Sequence, residues 1–254
     1  MAKPFTKLAA IAAPIMRSNI DTDVIIRIDR LVGNSVRGTL GTWAFGALRY
    51  RPDGSENPEF ILNREPYRQA EILITGPNFG CGSSREGAVW SLQEMGIRAI
   101  IGSGFGDIFF ANCFQNGILP IVIDKEIVDG LAAEVETTQG AGRISVDLQE
   151  QTITSPSGKR HNFEIDPRRR TGLLEGLDEV SLTLQRDDEI RAFQASDRVE
   201  RPWIHFQGNR HEQPIQHDQS GGGWRGGHRS RSDGAVTPNS QLVRRQTPRS
   251  DDPA

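Results

Sequence analysis

Cysteine is nearly absent from this sequence: there are two, Cys81 and Cys113, in 254 residues. Two thiols outside any C-x-x-C pair build no disulfide framework. They point instead to a reducing compartment with two free cysteines. An iron–sulfur cluster or a structural zinc needs three or four thiolate or imidazole ligands, so this chain by itself is expected to bind no metal. A long apolar run is missing as well. The best one, Leu8 to Met16, is far too short to span a bilayer and contains Pro14. Lys3 and Lys7 ahead of it imitate a signal peptide, but the run passes straight into Arg17-Ser18-Asn19 with no clear cleavage site. It reads as a first strand in a cytoplasmic protein. Charge of one sign is not in excess: the net is −3 and the pI about 6.0, which leaves no electrostatic footprint for nucleic acid or membrane. No G-x-x-x-x-G-K-[ST] phosphate loop occurs either, which argues against nucleotide binding.

Apolar residues are scarce too, at 36%, and the shortage is concentrated at one end. From Gly208 onward the chain carries Gly221-Gly222-Gly223 and Gly226-Gly227 among Arg, Ser, Asp and Gln, with almost no apolar periodicity. Such a stretch cannot bury enough surface to offset its ordering entropy. Residues 208–254 are therefore expected to be a disordered Gly/Arg/Ser-rich tail after a folded domain at 1–207. The lone triplet Arg225-Gly226-Gly227 resembles an RNA contact, but acidic residues run through the tail and a solvated appendage explains it as well.

The folded part reads as α/β. Glu71 to Thr75 is a short apolar run stopped by Gly76-Pro77, hence a buried strand. A helix is predicted over Ser84 to Met95, with Ala88, Leu92 and Met95 at helical spacing and Gly96 as its stop. A strand over Arg98 to Ser103 follows. The next helix, Asp107 to Asn116, is apolar nearly all round and so expected to be buried. Ile118 to Ile123 is another strand, and Glu126 to Glu136 another helix. This alternation implies parallel strands with crossover helices. The pattern then changes: Ile144 to Ile153 and His161 to Ile165 read as hairpin strands joined through Ser155-Pro156-Ser157-Gly158, and Leu173 to Phe193 as one or two closing helices.

The stretch richest in chemistry is Asn78-Phe79-Gly80-Cys81-Gly82-Ser83-Ser84-Arg85-Glu86-Gly87, placed where a strand ends and a helix begins. The first N–H groups of a helix have no internal partner and the dipole there is positive, so an anion is held readily. Gly80 and Gly82 permit close backbone approach. Arg85 offers a planar fork for a carboxylate, and Ser83 and Ser84 offer hydroxyls. The same spacing fits an S-x-x-E capping box, in which Ser83 is only an N-cap. No general base stands beside Cys81 in the sequence, so that thiol reads as packing and loop shape. A second stretch, Asn19-Ile20-Asp21-Thr22-Asp23-Val24-Ile25-Ile26, reads alone as an Asx turn or helix start. Arg17 just ahead of it is either a second cationic contact or a solvated side chain. Leu31, Val32, Leu40, Trp43, Phe45 and Leu48, between Arg30 and Tyr50, are either the wall of an apolar pocket or ordinary core.

Taken in order, N-I-D-T-D-x-I-I, N-F-G-C-G-S-S-R-E, the run Phe105 to Pro120 and the late Leu182-Thr183-Leu184-Gln185-Arg186-Asp187-Asp188 resemble the small-subunit family of the 3-isopropylmalate dehydratases, over residues 8–206. The resemblance implies a swivelling β/β/α domain of the aconitase C-terminal type. It implies a hydro-lyase of leucine biosynthesis that acts only with a large catalytic subunit. That partner would carry the [4Fe–4S] cluster, and none would be bound here. The substrate would be a small dicarboxylate. Ser83 would be the base for the carbon-bound proton and Arg85 the carboxylate grip. Ser84, Gly82, Arg17, Asp21 and Thr22 would be substrate contacts. Two positions depart from the family pattern: Gly87 stands where S-R-E-H has histidine, and Arg27 where I-I-P has proline. They leave open a same-fold dehydratase for another methylated or branched malate, and beyond it a non-catalytic anion-binding module.

Overall fold

The computed structural model describes residues 3–32 and 37–205; the expected tail at 208–254 lies outside them. Seven strands form one mixed sheet: β1 (Lys7–Ile15), β2 (Ile72–Thr75), β3 (Ala99–Gly102), β4 (Leu119–Val122), β5 (Arg143–Asp147), β6 (Thr152–Thr154) and β7 (Arg160–Asn162), in the order β4-β3-β2-β1-β5-β6-β7. β1 to β4 run parallel, and β5 to β7 continue the sheet antiparallel from the other side of β1. Between β1 and β2 lie the one-turn helices α1 (Thr22–Ile25), α2 (Leu40–Trp43) and α3 (Gly46–Arg49). The crossovers are α4 (Glu86–Met95) and α5 (Asp107–Gln115), and α6 (Lys125–Thr137) leads from β4 to β5. The described chain closes with α7 (Pro167–Glu175), α8 (Glu179–Leu184) and α9 (Asp187–Glu200).

The hydrophobic pattern explains this layering. β2 and β3 are buried at every position, as expected of parallel strands covered on both faces. α6 packs on β1, β2 and β3 through Val128, Leu131, Ala132 and Val135, spaced at i, i+3, i+4 and i+7. Each fully buried Val or Leu there contributes roughly 1.5–3 kcal/mol. Both prolines within strands sit where no ladder bond is lost. Ile11 and Ile15 offer their carbonyls to β2, so Pro14 faces the other side, beyond Ile11 where the pairing with β5 ends. Pro120 lies on the edge strand β4, where Leu119 and Ile123 donate to β3 and Pro120 faces outward.

Three expectations need correction. α5 is not buried all round: Phe109 and Cys113 are, whereas Ile108 is 53% exposed. Its outer rings Phe110 and Phe114 lie under the Arg169 guanidinium of α7, at 5.2 and 4.9 Å. The run Ile144 to Ile153 is two strands, because Asp147 accepts hydrogen bonds from the amides of Gln149 and Glu150 (3.0 Å each) and Gln151 takes a positive φ. That is an Asx-type turn without glycine or proline. The turn Ser155 to Gly158 joins β6 to β7 as expected. The closing helices are three, and α9 runs seven residues past Phe193 to Glu200.

Candidate active site

The first three parallel strands deliver their carboxyl ends to one edge of the sheet, the usual place for a ligand in such folds. Their following loops are stitched together there. After β1, Asn19 turns at φ 56° and its amide donates to Pro77 O (3.0 Å). Asn78, at φ 59°, donates through its side chain to Asn19 Oδ1 (2.8 Å). The Gly80 amide donates to Ile20 O (2.7 Å), Thr22 N to Cys81 O (2.9 Å) and Thr22 Oγ1 to Ser83 O (2.8 Å). On the other side, Phe79 N donates to Gly104 O (3.2 Å) and Gly106 N to Phe79 O (2.9 Å). Three motifs far apart in sequence thus become one surface.

Gly80 is required at its position. Its φ is +72°, and a Cβ there would lie 2.2 Å from Cγ of Phe109. That close approach seats the loop on the Phe79–Phe109 edge-to-face pair, whose centroids are 5.5 Å apart.

Ser83 does not cap α4. The helix starts at Glu86, its N-cap is Arg85, and that cap carries no side-chain hydrogen bond. Glu86 does not reach back to complete a capping box: its Oε1 accepts from Asn116 Nδ2 (2.9 Å). The capping reading of Ser83 is therefore overturned, and the reason is a contact from a distant segment. Thr22 holds the Ser83 carbonyl, which keeps Ser83 in the loop and delays the helix by two residues. The Ser83 hydroxyl is exposed and has no hydrogen-bond partner among the described residues.

Ser83, Arg85, Thr22 and Gly82 line one cavity of about 270 Å³, with Asp107 and Ile108 of α5 on its other wall. The N-cap of α5, Gly106, also lacks a side-chain bond, so two helix N-termini without side-chain caps meet at this cavity. Two larger clefts of about 800 Å³, along α7–α9 and beside Tyr50, contain none of these loop residues.

The other expected contacts are placed differently. Ser84 is exposed and does not line the cavity. Asp21 is the N-cap of α1, accepting from Val24 N (2.8 Å), and it pairs in a parallel bridge with Cys81; it shapes the loop from beneath. Arg17 is exposed and away from the cavity lining. One residue missed in the sequence is Asp23, whose carboxylate forms an ion pair and hydrogen bond with Arg85 Nη1. The Arg85 side chain is 17% exposed and that of Asp23 is 51% exposed. The second acid of N-I-D-T-D was the available signal: Asp21 and Asp23 flank Thr22, which faces the cavity.

Of the two thiols, Cys113 is fully buried and its pKa is pushed well up by that burial, which makes it an inert packing group. Cys81 is partly exposed in the loop. Among the described residues no three His, Cys, Asp or Glu side chains are grouped to hold a metal ion, and none of their helices is long and apolar enough to cross a membrane.

Residues 2–126 match the aconitase C-terminal domain and residues 129–167 match LeuD_N. Residues 179–206 match the C-terminal domain of the 3-isopropylmalate dehydratase small subunit. The 3-isopropylmalate dehydratase small subunit of Gluconacetobacter diazotrophicus is 52% identical over 199 residues, 78% of this chain and 95% of that protein. The protein of the same name from Neisseria meningitidis serogroup A is 48% identical over 211 residues, 80% of this chain and 98% of that one. Among solved structures, 3-isopropylmalate dehydratase from Methanocaldococcus jannaschii superposes with a TM-score of 0.53 at 22% identity, covering 74% of this chain and 99% of that chain. At that identity the likeness speaks for the fold.

Proposed function

This chain belongs to the family of 3-isopropylmalate dehydratase small subunits, and on that premise we propose that Ser83 and Arg85 are its contribution to the chemistry. The reaction is that of a hydro-lyase of leucine biosynthesis, active with a large subunit: 2-isopropylmalate loses water to an alkene, and water returns with the hydroxyl on the neighbouring carbon. Another substituted malate is not favoured, since both relatives carry the isopropylmalate name.

The observation that carries the proposal is the meeting of a free hydroxyl, Ser83, and a guanidinium, Arg85, at the N-terminus of α4 in one cavity. In the dehydration step Ser83, as the alkoxide, takes the proton from the carbon next to the leaving hydroxyl, and the C–H electron pair becomes the π bond. In rehydration it returns the proton to the other carbon. An alkoxide is a strong base that needs stabilising, and the Arg85 guanidinium beside it in the cavity, with the positive end of the α4 dipole, supplies that once the partner has excluded water. Arg85 holds a substrate carboxylate through its remaining N–H groups while Asp23 fixes the plane of the fork. Thr22 fixes the Ser83 backbone through its carbonyl.

A [4Fe–4S] cluster supplies Lewis-acid chemistry in this family, but the donor set here does not fit it: Cys113 is sealed in the core and Cys81 has no fellow ligands among the described residues. We assign the cluster to the large subunit and derive no step through it. A cytoplasmic location and a domain boundary near residue 207 complete the reading. The test is to assemble the full chain with a large subunit and follow the alkene and 3-isopropylmalate. No turnover of isopropylmalate by an assembly with a full cluster would overturn the reading.

A further inference from the structure

The first turn of α4 places an acid beside the active site that the mechanism does not use. Glu86 is the first residue of the helix, next to Arg85 in the chain, and it is exposed. A carboxylate there is drawn to the positive end of the helix dipole and to any cation beside it. With Ser83 three residues ahead, it also has the spacing to fold back on the Ser83 amide. The amides of Ser83 and Ser84 have no partner among the described residues. The carboxylate nevertheless goes elsewhere. Its Oε1 accepts from Nδ2 of Asn116 (2.9 Å), a residue 30 positions away that forms the C-cap of α5 and is 8% exposed. Donor and acceptor chemistry fixes the orientation of the Asn116 amide. An indole N–H only donates, so Oδ1 must face Trp90 Nε1 (3.1 Å). Nδ2 then faces two acceptors, the Glu86 carboxylate and Asn112 O (2.9 Å). Gln93 Nε2 donates to the Asn116 carbonyl (2.7 Å) and anchors its backbone. Glu86, Trp90 and Gln93 stand at i, i+4 and i+7, so one face of α4 grips a single buried asparagine. Asn116 meets the helix alongside Trp90, about 6 Å of rise beyond Glu86, and so draws the carboxylate down α4, away from its N-terminus.

We propose that Asn116 is a positioning residue for the shared site: by holding the Glu86 carboxylate down α4, it keeps Arg85 and the start of the helix free for the substrate's carboxylate. The two anions are rivals for one cation. Glu86 is tethered at the next residue, so unless it is held it competes at an effective concentration on the order of millimolar or more. Asp23 already takes Nη1 of Arg85. A second carboxylate from the same chain would leave no free edge of the guanidinium for a two-point grip on the substrate. The positioning role rests on the dehydratase reading of Ser83 and Arg85; the hold of Asn116 on Glu86 does not.

Asn116→Ala frees Glu86 without adding charge. In the assembled enzyme, KM for isopropylmalate should rise by about fivefold or more, with kcat within about threefold of wild type. Removing the rival should reverse this. Asn116→Ala with Glu86→Ala should return KM to within about twofold of wild type, although both ends of the contact are gone. A purely structural bond predicts a double variant no better than Asn116→Ala. In the full chain alone, hydrogen exchange at the Ser83 and Ser84 amides, read by NMR, should slow by at least about threefold in Asn116→Ala as the carboxylate swings back over them, whereas a merely loosened helix end exchanges faster. Should Asn116→Ala not fold, Asn116→Asp keeps the shape and the acceptor for Trp90, repels the Glu86 carboxylate and must raise KM. Adding Glu86→Gln restores a donor–acceptor pair and must lower KM again. Unchanged KM in the Asn116 variant, no recovery in its double variant, or unchanged or faster exchange at Ser83 and Ser84 would each overturn the proposal. An assembled wild type that turns over no isopropylmalate would refute the functional reading instead, and the exchange assay would still decide whether Asn116 holds Glu86.

Discussion

Replacing Ser83 by alanine separates chemistry from stability more cleanly here than at most active-site serines. The side chain is exposed, caps nothing and has no hydrogen-bond partner among the described residues. What holds the loop is the Ser83 carbonyl, through Thr22, and alanine keeps it. Stability should then move by no more than about 0.5 kcal/mol, the usual range for a surface substitution away from any special feature. In a domain of this size that is a change in Tm of about 2 °C or less. Loss of the proton-transferring oxygen should lower kcat by roughly 10²–10⁴, or about 2.7–5.4 kcal/mol of barrier. KM should change little, because the proposed carboxylate grip is Arg85. The assay is to assemble the variant with a large subunit, confirm its cluster content, and measure kcat, KM, Tm and solvent-deuterium entry at the substrate carbon. Ser83→Asp sharpens the contrast. A helix cap accepts aspartate, whereas a base site facing an anionic substrate does not, so this variant should be inactive and still fold. A kcat within about threefold of wild type for either variant would refute the role given to Ser83.

Arg85→Lys keeps the charge and loses the fork, so KM should rise by about tenfold or more, the worth of one charged hydrogen bond; steady-state kinetics on the assembled enzyme reads it. Asp23→Asn should also raise KM, by less, since Arg85 keeps its charge and loses only its brace; equal or lower KM would mean that Asp23 competes with substrate. Gly80→Ala combines a positive φ with a methyl driven into the Phe109 ring, so it should cost about 2–4 kcal/mol, a fall in Tm of about 5–15 °C by calorimetry. The full chain incubated alone with iron and sulfide should stay colourless after desalting, and a stable brown cluster on it would refute the assignment of that group to the partner.

Local order in the sequence translated well into local order in the fold. Apolar runs bounded by glycine became β2, β3 and β4, and the 3.6-residue spacing in α6 became its buried face. What was hidden came from contacts between distant segments. Thr22 and Ser83 are 61 positions apart, and their bond is why an S-x-x-E spacing fails to become a capping box. The pairing of Asp23 with Arg85 is just as remote, so an acid that looked like one more turn residue turns out to brace the arginine that lines the cavity. Asp147 made a turn with its own side chain in a stretch free of glycine and proline, which is why one apparent strand is two. The Arg30–Tyr50 segment resolves both ways: Leu40 and Phe45 are core, Leu31 and Leu48 are partly buried, and Val32 faces solvent.

The exposure of the site explains why this chain works as a subunit. Gly82, Ser83 and Ser84 all lie open to solvent, and Asp107 and Ile108 on the facing wall are open too. A serine alkoxide in contact with bulk water is quenched by it, and a guanidinium–carboxylate grip in a high dielectric is weak. Neither group can do its work until water is excluded, and the fold supplies no element of its own to do so among the described residues. The rigidity is all beneath the site: Gly80 against Phe109, Thr22 on Ser83, and Asp23 on Arg85. On the proposed reading, a surface organised from below and bare above is complete only when the large subunit closes over it, with Ser83 and Arg85 as this chain's contribution to the shared site. Closure therefore does two things at once: it dries the base and strengthens the grip. This is the physical reason why a small subunit with the right residues should be inactive alone.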